Sequence, residues 1–282
     1  MAGTLYLGRN KVCPAILMGG DSSKGGFPID AFIGDIDSNG VLQLTSSMEN
    51  DINLTGFTDI GDYALQYKFY LNQTFSANVS FVDLENVSGY CACYNMFYSC
   101  PGIKSLKFNN LIYLSGEACF ELMCYNCSNL KTVEFTKLQT ISNYGCLGNM
   151  CRYCVNLETA LFPELETISG TNGLYGTFDS CPKLKEIRFN KLTNIFGSGA
   201  LKSFLTYCTG IEDVYFPAIT TNSFGNNTNQ FLYMLSGTGN RKTHTLHFPS
   251  NLESTIQGLS GYPLFGGTSG YVVLAFDLPA TS

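Results

Sequence analysis

The chain has 282 residues, 45% hydrophobic and only 13% charged, with a formal net charge of −6. Ordinary domains carry about 25% charged residues, and a sparse, acidic balance excludes a phosphate-backbone partner, which needs clustered Lys and Arg. No apolar run approaches the ~20 residues of a membrane helix, so no membrane insertion is expected.

Residues 1–70 read as a small β-rich N-terminal module of short strands and turns: Leu5 to Gly8, Val12 to Leu17, Ile33 to Leu44 and Ile52 to Phe57. Met1 to Lys11 contains no basic segment leading into an apolar stretch of signal-peptide length, so export by the general secretion route is not expected. Gly19 to Gly26 lacks the order of a phosphate-binding loop and reads as a surface loop. Asp35, Asp37, Asn39 and Gly40 match the start of a calcium loop, but Ser46 stands where its bidentate acid belongs. A β-hairpin turning at Asn39-Gly40 is the favoured alternative.

From residue 71 to 256 the chain repeats. Phe81, Phe108, Phe135, Phe162, Phe189 and Phe216 follow one another at steps of 27. Each sits in a longer unit, such as Cys127, Leu130, Val133, Phe135, Leu138, Ile141. Eroded copies flank the regular ones, Val79-Phe81-Leu84-Val87 before and Leu246-Phe248-Leu252 after. A fixed period of this size signals stacked units sharing one core. The period-2 pair Leu106-x-Phe108 predicts a strand. Ala118 to Cys124 has room for two helical turns, so a short helix is expected in every unit. Ser115-Gly116, Ser169-Gly170 and Ser198-Gly199 mark the bend before it. Residues 257–282 read as a C-terminal cap.

Ile103-x-x-Leu106-x-Phe108-x-x-Leu111 resembles the leucine-rich repeat, with Leu or Ile at the usual asparagine position. Phe97-x-x-Cys100-x-x-Ile103 and Phe178-x-x-Cys181-x-x-Leu184 resemble the BspA-like group of that family. The resemblance covers roughly residues 71–256. It implies an α/β repeat fold: a solenoid of parallel strands and short helices that serves as a binding scaffold.

Twelve cysteines raise metal or disulfide chemistry. Cys124-x-x-Cys127 with Cys151-x-x-Cys154 has the look of a paired zinc motif. Phe97, Phe178 and Leu205 fill the equivalents of Cys124 and Cys151, however, so a reduced packing ladder is favoured and no metal or cofactor is expected. His244 and His247 lie in the last degenerate strand and are expected on one face, solvated or as a weak metal pair. No catalytic constellation stands out, and the chain reads as a non-enzyme.

Residues pointing away from the phenylalanines should form ladders across the strands. One runs Ser105, Thr132, Thr159, Glu186, Asp213; its neighbour runs Lys107, Glu134, Leu161, Arg188, Tyr215. These ten are the candidate binding residues, because Arg and Tyr are favoured at hot spots. A third ladder, Lys104, Lys131, Glu158, Lys185, Glu212, alternates in sign from Lys131 and is expected to hold register. The opening Leu5-Tyr-Leu-Gly-x-x-Lys-Val-Cys-Pro-x-Ile resembles the start of phage and prophage proteins of gut bacteria. That resemblance implies a multimeric virion appendage, bound to other virion proteins through residues 1–70 and presenting the repeat to a host-surface protein or glycan. The alternative is a bacterial cell-surface or secreted adhesin.

Overall fold

A Leu-x-Phe pair every 27 residues asks for one strand per unit, and the structure lays those strands side by side. Strands Ile52–Leu54, Ala77–Phe81, Ile103–Phe108, Thr132–Phe135 and Thr159–Leu161 form a 5-stranded parallel sheet. Glu186–Arg188, Asp213–Tyr215, His244–Pro249 and Val272–Leu278 carry the stack on as a 4-stranded sheet. Together they are the strand wall. A second wall is a 7-stranded parallel sheet of short strands: Gly3–Leu5, Phe57–Ile60, Asn86–Val87, Tyr113–Leu114, Thr140–Ile141, Thr167–Ile168 and Asn194–Ile195. This computed structural model describes residues 57–67, 69–71, 73, 76–225, 229–238, 243–259 and 272–281, with the strands Gly3–Leu5, Gly34–Ile36, Leu42–Leu44 and Ile52–Leu54.

The third wall departs from expectation. The short helix expected in each unit is replaced by a run of turns, and the α-helix among the described residues is Glu253–Gln257, beyond the regular units. Along one run, alternate N–H groups donate to the next rung: Cys93 to Cys119 O at 2.7 Å, Phe97 to Met123 O at 2.7 Å and Ser99 to Tyr125 O at 2.7 Å. The intervening N–H groups close turns within the rung, as Tyr94 does to Cys91 O at 3.2 Å and Tyr98 to Asn95 O at 3.2 Å. Stacking distance explains the choice. Parallel strands sit about 4.8 Å apart, whereas packed helix axes need 8–10 Å. A turn run that bonds across rungs matches the spacing of the strands.

That wall requires left-handed backbone at every fourth residue: Cys91, Asn95 and Ser99 in one rung, Ala118, Leu122 and Asn126 in the next. Among the described residues sixteen non-glycine residues have positive φ, and none of these is Val, Ile or Thr. β-branched side chains are the ones this region of φ/ψ space tolerates least. The bends need glycine for a different reason. A Cβ on Gly116 would stand 2.1 Å from the Gly89 carbonyl oxygen of the neighbouring rung.

The three walls enclose one core. The phenylalanine column is fully buried, with ring centroids 4.8 Å apart for Phe81–Phe108 and Phe108–Phe135, and 5.1 Å for Phe135–Phe162. It continues through Phe189, Phe216 and Phe248 to Phe276. Beside it runs the cysteine ladder. The thiols of Cys127, Cys154, Cys181 and Cys208 donate to the carbonyls of Phe97, Cys124, Cys151 and Phe178 at 3.0, 3.1, 3.2 and 2.9 Å. A small apolar side chain with a weak donor suits this position. The 11 described cysteines are free and buried.

Rung pairing begins before residue 71. Leu54 pairs with Phe81 and Ile60 with Val87, so the described residues between 52 and 71 already follow the strand, short-strand and turn order. At the other end, Val272–Leu278 pairs in parallel with His244–Pro249 within the segment read as a cap. The hairpin reading of the calcium-like segment fits the antiparallel pairing of Gly34–Ile36 with Leu42–Leu44. Asp37, Asn39, Gly40, Ser46 and the Gly19–Gly26 loop lie outside the described residues.

Candidate binding surface

Parallel pairing sets the ten candidate residues in register. Ser105, Thr132 and Thr159 are direct partners, as are Lys107, Glu134 and Leu161. Glu186 faces Asp213 and Arg188 faces Tyr215. None is buried, in keeping with outward positions on the pleat.

The two halves of the face differ. In the first, Ser105 Oγ donates to Asn78 Oδ1 at 2.7 Å and Lys107 pairs with Glu134 at 3.1 Å. Exposed pairs of this kind contribute about 0–1 kcal/mol. Among the described residues no ion pair joins Lys131 to Glu158 or Glu158 to Lys185, so that part of the sign-alternating ladder does not act through direct contact.

The second half is a continuous stack. Arg188 is held by Glu186 at 2.7 Å and lies 3.6 Å over the Tyr215 ring. Tyr215 in turn stacks on His247, centroids 4.2 Å apart and planes within 9°. His247 is clasped on both sides: Asp277 oxygens lie 2.9 Å from Nδ1, and Asp213 Oδ1 lies 3.0 Å from Nε2. Burial lowers the affinity of this imidazole for a proton, but the two aspartates outweigh it and hold its pKa above the ordinary value. Leu161, 46% exposed, stands at the start of this stack.

The histidines correct the expectation of a shared face. They are three residues apart, which puts them on opposite sides of a strand. His244 is buried and its Nδ1 lies 2.6 Å from the Ile211 carbonyl, while His247 faces out. The cysteines of the zinc-like motif lie in the core, where burial pushes the Cys124 and Cys151 thiols well above their ordinary range and Cys208 up to about 12. Among the described residues no group of three or more His, Cys, Asp or Glu is arranged to hold a metal ion.

No protein-family model matches the chain, and no curated protein matches it. Solved structures similar to it are leucine-rich repeat proteins. One from Bacteroides ovatus is 18% identical with a TM-score of 0.47, covering 83% of this chain and 53% of its own. The chain thus spans about half the length of that protein. One from T. pallidum is 13% identical with a TM-score of 0.32, covering 89% and 82%. A leucine-rich cell surface protein from Faecalibacterium prausnitzii is 12% identical with a TM-score of 0.25, covering 90% and 98%. Among the described residues the fold of this chain is a solenoid of parallel strands with few helices.

Sequence reasoning passed over the turn wall. Tyr63, Tyr67, Tyr70, Tyr90, Tyr94, Tyr98, Tyr125, Tyr144, Tyr153, Tyr175, Tyr207 and Tyr233 all lie in its turn runs, and none is buried. The strand wall carries Tyr215. The signal was present as Tyr98 and Tyr125, one period apart. Treating that segment as helical hid it, because a helix scatters such residues around its axis.

Proposed function

We propose that this protein is a non-catalytic recognition scaffold whose strand wall, centred on Leu161, Arg188, Tyr215 and His247, contacts a host-surface protein or glycan. The stack of Arg188 on Tyr215 on His247 carries this reading. It presents a cation, an aromatic and an imidazole in fixed positions, so a partner binds without having to order them. Catalysis fits this geometry poorly. His247 has both ring nitrogens occupied by carboxylates, His244 is buried, and burial makes the Cys124, Cys151 and Cys181 thiols resist ionisation, which leaves no free general base or thiolate among these groups.

The setting we favour is a bacterial cell-surface or secreted adhesin rather than a virion appendage. Residues Gly3–Leu5, at the head of the proposed attachment module, pair with Phe57–Ile60 and extend the solenoid's short-strand sheet. Strand pairing with the solenoid supports a continuation of the scaffold more than a separate particle anchor. The test is retention on immobilised mucin and on host-cell surface protein. Arg188→Ala with Tyr215→Ala is expected to lower retention about tenfold with an unchanged melting transition. Retention equal to that of the parent protein removes the strand wall from consideration.

A further inference from the structure

The tyrosines of the turn wall form an ordered track. Tyr70 stacks on Tyr98 at 5.2 Å, Tyr98 on Tyr125 at 4.7 Å with planes within 4°, and Tyr153 meets Tyr125 edge-on at 5.3 Å. Among the described residues the Tyr70, Tyr98 and Tyr125 hydroxyls have no hydrogen-bond partner. They form a row of free donors and acceptors one rung apart. Tyr67 packs edge-on against both Tyr70 and Tyr94, so the track offers ring faces as well as hydroxyl edges. Around it stand Asn126, Ser99 and Gln73, already bonded to one another or to the backbone.

Charge and periodicity narrow the occupant. The acid near Tyr125 is Asp179, which is paired at 3.2 Å with the nearby cation, Arg152, and Arg152 lies 5.0 Å from the Tyr153 ring. Among the described residues the cation touching the track, Arg152, is already paired, which disfavours a polyanion. The track repeats by translation along the solenoid axis, and a folded protein surface does not. A polymer of hydroxyl-bearing rings does, and it matches both the ring faces and the row of hydroxyls. Tyrosine supplies this kind of amphipathic contact at low entropic cost.

We propose that the Tyr70–Tyr98–Tyr125–Tyr153 track binds an uncharged polysaccharide chain lying along the solenoid axis. This site is separate from the strand wall and does not depend on the reading given for it. The experiment is affinity electrophoresis of the full chain in gels containing a neutral β-glucan, a neutral galactomannan or, as the anionic comparison, polygalacturonate. The parent protein should be retarded by at least one neutral polymer and not by polygalacturonate. Tyr98→Ala with Tyr125→Ala should weaken that retardation about tenfold. Tyr98→Phe with Tyr125→Phe keeps the rings and removes the hydroxyls, so it decides the matter should the alanine variant unfold; it should weaken retardation severalfold. No retardation by either neutral polymer, retardation by polygalacturonate alone, or full retardation of the phenylalanine variant overturns the proposal. So does an effect of the tyrosine variants confined to capture of a protein partner.

Discussion

The strand wall and the turn wall run along the same solenoid, yet they carry different chemistry. The strand wall presents Thr132, Thr159 and Thr245 among paired charges such as Lys107–Glu134 and Arg188–Glu186. The turn wall presents tyrosine, asparagine, serine and glycine, with no β-branched residue at its positive-φ positions among the described residues. Backbone geometry accounts for the difference. A strand gives every residue the same extended conformation, which β-branched side chains favour. The turn wall forces a left-handed residue at every fourth position, and each costs about 1–2 kcal/mol unless it is glycine or is offset by hydrogen bonding. Cross-rung hydrogen bonds supply that offset.

The largest effect should come from the core that both walls share. Phe135 is fully buried between Phe108 and Phe162. Phe135→Ala is expected to cost about 3–5 kcal/mol. Amide hydrogen exchange should then show faster opening in both walls together. Acceleration confined to the strand wall breaks the picture of two faces on one cooperative body.

Smaller effects separate the walls. A Cβ at Gly116 meets the Gly89 backbone, so Gly116→Ala should lower stability by about 1–3 kcal/mol. Gly145 has open space but φ +60°, and alanine there should cost about 1 kcal/mol. Denaturant midpoints of the two variants distinguish collision from conformational strain. Glycine substitutions provide the converse test. Ser203 has φ 55°, and Ser203→Gly should be neutral or stabilising by up to about 1 kcal/mol. Thr132→Gly, in a strand, should destabilise by about 1 kcal/mol. Equal losses at both sites contradict the strain assigned to the turn wall.

Period 27 made most of the strand wall legible, because a strand's two-residue alternation and its register follow directly from where Leu106 and Phe108 recur. It likewise placed Cys127 and Cys154 inside the core. The turn wall was illegible because its buried residues, Cys119, Phe120, Met123, Cys124 and Cys127, are spaced as a helix would also space them. What separates the two is the hydrogen-bond partner of each N–H, which belongs to the next rung and leaves no trace in a single unit. The first rung was missed because Leu54 replaces the phenylalanine, although it stands 27 residues before Phe81. The clasp on His247 depends on Asp277, a residue of the final strand that the repeat pattern does not reach.

The smallest effect is a local one, and it concerns how the strand wall ends. His247 bridges Asp213 on the preceding strand and Asp277 on the final strand Val272–Leu278. A neutral imidazole has one N–H and turns its other nitrogen's lone pair toward a carboxylate; the protonated ring donates to both. The folded-state pKa is raised above 6.5. A raised pKa means the folded protein holds the proton more tightly than the unfolded chain. The stabilisation is therefore complete below the unfolded value and is lost as pH rises through the folded one. Hydrogen exchange, corrected for its intrinsic pH dependence, should show the amides of Val272–Leu278 better protected below pH 6.5 than above the folded pKa, with the phenylalanine-bearing strands unaffected. His247→Gln should abolish the pH dependence while leaving the turn wall unchanged. A pH response that survives this substitution assigns the titration to another group and detaches His247 from the end of the wall.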